Sequence, residues 1–228
     1  MLQQLRENTE FATSPVLAIP GNHDPSPDQF YTVFNRVDHL DLKGFRIIPF
    51  PDDPETPGYN SVRKPAELAR AQRLCESFDG PKIYCQHVPL FPAGSAPLRY
   101  SYGNASIITG PLQHWNVVGC LSGHQHEGVR ELERNGTTYL CAPALCESPF
   151  RFQIVEFEAN GKVNEESVSL RLPDGIEWID RHTHSPLAYC NENVDPAIEL
   201  QLMDALNLTA ICVTEHSGQL YFHQEEYW

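Results

Sequence analysis

The sequence predicts a mixed α/β chain whose strand ends carry histidines, and three observations predict it. Short apolar runs of strand length, Phe45 to Phe50, Lys82 to Gln86 and Val117 to Leu121, are interleaved with stretches of helical spacing such as Phe30, Val33, Phe34 and Val37. From Val129 onward the pattern changes to strand pairs broken by Asn-Gly, the strongest short-range hairpin signal. Histidines recur in three contexts: after Gly-Asn, at a strand end before Val-Pro, and in His-x-His pairs.

Taken in order, Val16 to Pro20 reads as a short buried strand that feeds the loop Gly21-Asn22-His23-Asp24, and Pro27 to Val37 reads as a helix. After the strand Phe45 to Phe50, the stretch Pro51 to Gly58 is rich in Pro and Asp and reads as a surface loop. A helix is expected from Pro65 to Phe78, with Pro in its first turn, where a missing N–H costs nothing. Lys82 to Gln86 then ends in His87, and Val117 to Leu121 ends in Ser122-Gly123-His124-Gln125-His126. Two strands therefore deliver histidines from their C-terminal ends.

The hairpins follow: Val129 to Arg134 and Thr137 to Ala142 around Asn135-Gly136, then Phe152 to Glu158 and Val163 to Leu172 around Asn160-Gly161. They are expected to form the far side of a sandwich. Pro173-Asp174-Gly175 reads as a linker, after which the chain restarts as strand, loop, a helix from Pro196 to Leu206 and a strand from Thr209 to Val213. The expected division is a first domain over residues 1–172, a linker over 173–178 and a second domain over 179–228.

Sixteen Lys and Arg against thirty Asp and Glu give a formal net charge of −14 over 228 residues, which repels polyanions, so bulk charge does not favour a nucleic-acid partner. The same balance suits a protein that holds divalent cations and handles small anionic substrates through them, although acidity serves more commonly as a solubility device. Seven cysteines without a Cys-x-x-Cys pair, several in apolar runs, read as reduced structural thiols. No run approaches the ~18 apolar residues that span a bilayer, and residues 1–10 lack an apolar signal core. A reducing cytoplasm and no membrane partner are the expectation.

The chemistry is expected at the strand ends, where rigid backbone can aim several side chains at one point. Asn22 offers a carbonyl oxygen to a hard cation, and His23 projects beside it, where it can serve in proton transfer. Gly21 is expected to permit a tight turn, and Asp24 to orient His23 or cap the following helix. In Gly123-His124-Gln125-His126 the spacing lets two imidazoles approach one centre, and Gly123 is expected to remove a side chain that would crowd them. His87 adds a further nitrogen.

Through Gly21-Asn22-His23-Asp24, the His87 strand end and Gly123-His124-Gln125-His126, the chain resembles the calcineurin-like metallophosphoesterases over about residues 1 to 170. The resemblance implies an αββα sandwich, two sheets flanked by helices. It implies that Asn22, His87 and His124 bind one divalent metal, that His126 binds the other, and that His23 assists the leaving group, with Asp24 behind it. It also implies hydrolysis of a phosphomonoester or phosphodiester by a metal-activated hydroxide at a dinuclear site of manganese, iron or zinc. The family's earlier motifs, Asp-x-His and Gly-Asp-x-x-Asp, are absent from Met1 to Pro15. The sandwich is therefore expected to be incomplete at its N-terminus, and this polypeptide to have little or no activity alone.

The later segment Asp180-Arg181-His182-Thr183-His184-Ser185, followed by Thr214-Glu215-His216, resembles the opening of the PHP (polymerase and histidinol phosphatase) family. That resemblance implies the first β-α-β unit of a barrel, with His182, His184 and His216 as possible ligands of further metals and Cys190 or Glu192 in place of a missing histidine. Three functions are open at this point: a phosphoesterase acting on a small phosphorylated substrate or phosphodiester, a non-catalytic metal-binding or interaction scaffold, and chemistry seated in the second domain. Substrate and oligomeric state are left open. Arg99, Tyr100 and Tyr102 are candidates to touch a base or phosphate, with ordinary loop packing the commoner role for such residues.

Overall fold

A computed structural model describes residues 14–52, 59–95, 99–158, 162–185 and 195–214. A helix α1 (Pro27–Val33) precedes strands β1 (Leu40–Leu42) and β2 (Phe45–Phe50), then α2 (Pro65–Glu76), β3 (Lys82–Gln86), α3 (Ala105–Thr109) and β4 (Val117–Ser122). Strands β5 (Val129–Arg134), β6 (Thr137–Cys141), β7 (Arg151–Phe157), β8 (Val163–Ser169) and β9 (Ile179–Thr183) follow, and α4 (Pro196–Leu206) and β10 (Ala210–Val213) complete the series.

Six strands form one mixed sheet in the order β1-β2-β3-β4-β6-β5. The inner strands β2, β3, β4 and β6 run parallel, while β1 and β5 are antiparallel to their neighbours. Parallel strands need both faces covered, which is why β2, β3 and β4 read as nearly continuous apolar runs instead of alternating ones. On one face α2 sets Ala71, Leu74 and Cys75 into a core with Ile48, Phe50 and Tyr84. Each fully buried large apolar side chain there contributes roughly 1.5–3 kcal/mol. Phe157, at the end of β7, lies on Gly119 and 6.3 Å from the Phe45 ring, centroid to centroid. A Cβ on Gly119 would stand 2.5 Å from the Phe157 ring, so the contact requires glycine there.

Two buried arginines, Arg46 and Arg63, tie the sheet to its surroundings. Arg46 grips Asp41 across the β1–β2 hairpin with two hydrogen bonds of 2.8 and 2.7 Å and donates to Leu74 O, which ties the hairpin to α2. Arg63 is 1% exposed, donates to Asp52 at 2.8 Å and to Gln86 at 3.2 Å, and lies 3.5 Å over the Phe50 ring. Tyr102 donates to the same Asp52 oxygen at 2.9 Å. Burial works against the Arg63 charge, but Asp52 and the neighbouring tyrosine hydroxyls outweigh it and hold the guanidinium even more basic than usual.

Several expectations are corrected. Val16 to Pro20 runs without strand structure, and the first helix stops at Val33 because Phe34 turns to extended backbone and stacks back on Phe30. The Asn135-Gly136 hairpin does not lie on the far side of a sandwich: β6 pairs in parallel with β4, so the hairpin extends the first sheet. Of the strands expected on that far side, only β7 and β8 form a separate pair, and the expected turn at Asn160-Gly161 lies outside the described residues. The short β1, joined to β2 through Lys43 (φ 49°) and Gly44 (φ 84°), and the five-residue α3 were not expected. The result is a mixed α/β fold, with a parallel and antiparallel sheet compatible with an α/β sandwich.

Contact density divides the chain into Met1–Ala144 with Val155–Glu165, and Leu145–Ile154 with Glu166–Trp228; the β7–β8 pair is shared between them. In the second unit β9 and β10 pair in parallel on either side of α4, which makes one β-α-β unit of two strands among the described residues. Asp195 caps α4 by accepting from Ala197 N, Pro196 begins it, and Asn207 at φ 62° ends it. No described helix is long and apolar enough to cross a membrane.

Candidate functional site

The parallel pairing of β3 with β4 places the two histidine-bearing strand ends side by side, and Gly123 N donates to His87 O at 2.9 Å just beyond the ladder. The loop before α1 closes the arrangement. Its Asp24 carboxylate accepts from Gly21 N at 2.8 Å, and Asp24 N donates to Gly21 O at 3.2 Å, so Gly21 to Asp24 is a self-locked turn. Three polar atoms meet there. Asn22 Oδ1 lies 2.8 Å from His87 Nε2 and 3.1 Å from His124 Nδ1, and the two ring nitrogens are 3.0 Å apart.

Proton counting shows what this triangle lacks. His124 Nε2 lies 3.1 Å from Tyr59 O and must donate to it, which leaves Nδ1 of the neutral ring with a bare lone pair. Burial, the largest influence, and the neighbouring histidines hold His124 below its ordinary basicity, and burial followed by His124 holds His87 down to about 4. Both rings are thus neutral near pH 7. His87 Nε2 can carry one proton into the triangle, but the His124 Nδ1–Asn22 Oδ1 edge still sets lone pair against lone pair. A cation at the centre of these donors relieves all three edges at once. Donors about 2.1 Å from a cation and at right angles to each other stand about 3.0 Å apart, whereas tetrahedral ones stand about 3.4 Å apart. The observed edges match one face of an octahedron.

Among the described residues no cluster of three or more His, Cys, Asp or Glu side chains has the arrangement of a metal site. The triangle owes its third corner to an amide. His23 and His126 are exposed, and both are near enough for their charge, when protonated, to depress His87 and His124 further. Asp24 acts on its own turn instead of capping α1, whose first residue follows Ser26 without a side-chain cap.

Two glycine expectations change. The expected turn-forming role of Gly21 is secondary to space: a Cβ there would sit 2.7 Å from His87 Cε1. Gly123 has room, since its Cβ would meet nothing closer than 3.9 Å, and the unusual backbone belongs to His124 itself, at φ 68°.

In the second unit His182 Nε2 lies 3.0 Å from His184 Nε2, with the rings edge-on at 4.8 Å, and Thr183 Oγ1 donates to Glu199 at 2.8 Å. His216, Cys190 and Glu192 lie outside the described residues. Residues that sequence reasoning missed or undervalued stand around His124. Tyr59 supplies its carbonyl, and the Tyr100 ring lies 4.4 Å from the His124 ring, centroid to centroid. A backbone carbonyl carries no residue signature, so only the Tyr100 ring could have been suspected. Tyr102, also considered there, is buried on Asp52 and serves the core.

No family model matches the chain, and no curated protein does. Among solved structures it is similar to TT1561 of Thermus thermophilus, at 15% identity and a TM-score of 0.38 over 56% of this chain. The chain spans 56% of that protein's length. So slight a likeness carries no argument about fold or function.

Proposed function

We propose that this chain is a metal-dependent phosphoesterase of the calcineurin-like kind, with Asn22, His87 and His124 holding one divalent cation and His126 contributing to a second. The observation that supports it best is the triangle of 2.8, 3.0 and 3.1 Å, which has one proton too few for a hydrogen-bonded cluster and the spacing of an octahedral face. Octahedral spacing with nitrogen and amide oxygen donors suits manganese or iron, and zinc less well. Such cations, when bound, polarise phosphoryl oxygens and acidify water. His23, exposed at the rim, holds a proton for the departing oxygen. The substrate class is a phosphomonoester or phosphodiester.

Of the ligands named, only His126 falls to the second cation. Metal binding is therefore the first readout. Calorimetric titration of the full chain with Mn²⁺ is expected to give about one site, weakened at least about tenfold by either Asn22→Ala or His124→Ala. Equal Mn²⁺ binding by all three proteins would overturn the reading. Manganese-dependent hydrolysis of bis(p-nitrophenyl) phosphate, lost in His23→Ala, would distinguish an enzyme from a metal-binding scaffold.

A further inference from the structure

Next to the triangle, the chain holds two tyrosine rings, one packed on the core and one turned to solvent. Tyr59 is 59% exposed and sits at φ 61°, a region that a bulky side chain rarely adopts and that costs of order 1–3 kcal/mol. It is held there by the His124 N–H on its carbonyl and by a short zipper between residues 59–63 and 100–104. In that zipper Ser101 N donates to Asn60 Oδ1 at 2.9 Å, Ser61 N to Ser101 O at 3.1 Å and Gly103 N to Ser61 O at 2.9 Å. Asn104 adds two hydrogen bonds to the Arg63 backbone.

The zipper brings the Tyr59 and Tyr100 rings to 6.4 Å at 87°. Tyr100 is packed against the core and fixed, whereas Tyr59 presents its ring to solvent. The two rings make a right-angled corner whose inner end is the His124 ring, 4.4 Å from Tyr100 and 6.4 Å from Tyr59. The Arg99 guanidinium lies 5.3 Å over Tyr100.

We propose that Tyr59 and Tyr100 form a substrate subsite for a planar aromatic substituent on the phosphoester, an aryl group or a nucleobase, stacked on the Tyr59 ring while the phosphoryl group lies at the triangle. The proposal rests on the phosphoesterase reading. An alkyl phosphoester gains nothing from this corner, because it offers no face to a ring. Tyr59 is the specificity-determining residue, and its contribution comes from the ring and not from the hydroxyl.

The test is calorimetric binding to the full chain in Mn²⁺, with phenylphosphonate, methylphosphonate and thymidine 5′-phosphate as probes. Phenylphosphonate is expected to bind about tenfold more tightly than methylphosphonate, the gain that a single stacking contact supplies. The preference should vanish in Tyr59→Ala and survive in Tyr59→Phe, which separates loss of the ring from loss of the fold. Thymidine 5′-phosphate binding tighter than phenylphosphonate would assign a nucleobase, and the reverse order an aryl group. Manganese-dependent binding of both phosphonates with equal affinity would overturn the subsite alone. If neither phosphonate binds in a manganese-dependent way, the phosphoesterase reading fails and the subsite with it.

Discussion

Gly21 has no side chain because the His87 ring occupies the space where one would go. Gly21→Ala must displace either the ring or the loop, since 2.7 Å between carbons is closer than any real contact. The expected outcome is a loss of about 1–3 kcal/mol in urea unfolding, the usual cost of overpacking, together with weaker Mn²⁺ binding. A variant with unchanged stability and Mn²⁺ affinity would show that the loop yields freely. A larger penalty is expected at Asp52. Asp52→Ala strands the Arg63 guanidinium in the core and removes the acceptor of Tyr102, so a destabilisation of about 3–5 kcal/mol is expected. The double variant Asp52→Ala/Arg63→Met should recover much of it, because no unpaired charge remains. His87 carries a pH signature. Burial and His124 hold it near 4 in the folded chain against an ordinary value of 6.5, so the unfolded chain takes up a proton that the folded one refuses. Stability from this residue is complete above about pH 6.5, falls as pH drops, and is gone below about 4. Urea midpoints of the metal-free chain at pH 7 and pH 5 should differ more in the wild type than in His87→Gln.

Among the elements, the pairing of β3 with β4 does most to create the site, since parallel neighbours end at the same edge of the sheet and their following loops meet. Antiparallel strands would have carried His87 and His124 to opposite edges. The hairpin β5–β6 supports β4 from the other side, and its turn is a local device: Asn135 at φ 55° and Gly136 at φ 77° match a two-residue turn with left-handed backbone at both positions. A Cβ on Gly136 would touch nothing within 4 Å, so Gly136→Ala tests backbone conformation without sterics. A cost of about 1 kcal/mol in thermal unfolding is expected, with no change in Mn²⁺ affinity. A neutral substitution would mean that the turn relaxes to another type.

At the scale of the molecule, the cysteines report on the fold. The six described cysteines are free; Cys75, Cys120 and Cys141 are buried, while Cys146 and Cys212 are exposed. Burial pushes the Cys85 thiol up to about 12 and raises Cys120 as well, which removes the reactive thiolate near neutral pH. Under native conditions iodoacetamide followed by mass spectrometry should modify Cys146 and Cys212 within minutes and leave Cys85 and Cys120 unmodified until urea is added. Rapid native labelling of Cys120 would contradict the packing of β4. The net charge of −14 acts at this scale too, by raising the local concentration of divalent cations around whichever groups can bind them.

Local features were legible in the order of residues alone. The bounds of β2, β3, β5 and α4 coincide with the apolar runs and caps that mark them, because burial pattern, Asn-Gly and an Asp-Pro start act within a few residues. The placement of Asn22, His87 and His124 was legible for the same reason: each stands at the end of a readable strand or in a readable turn. Other features arise from contacts between distant segments and emerge only on folding. That β6 joins β4 instead of starting a second sheet, that Gly21 makes room for the imidazole of the distant His87, and that a tyrosine carbonyl sets the tautomer of His124 are long-range facts. A backbone carbonyl or an empty volume is supplied by any residue that folds into place, so no residue type in the sequence announces it.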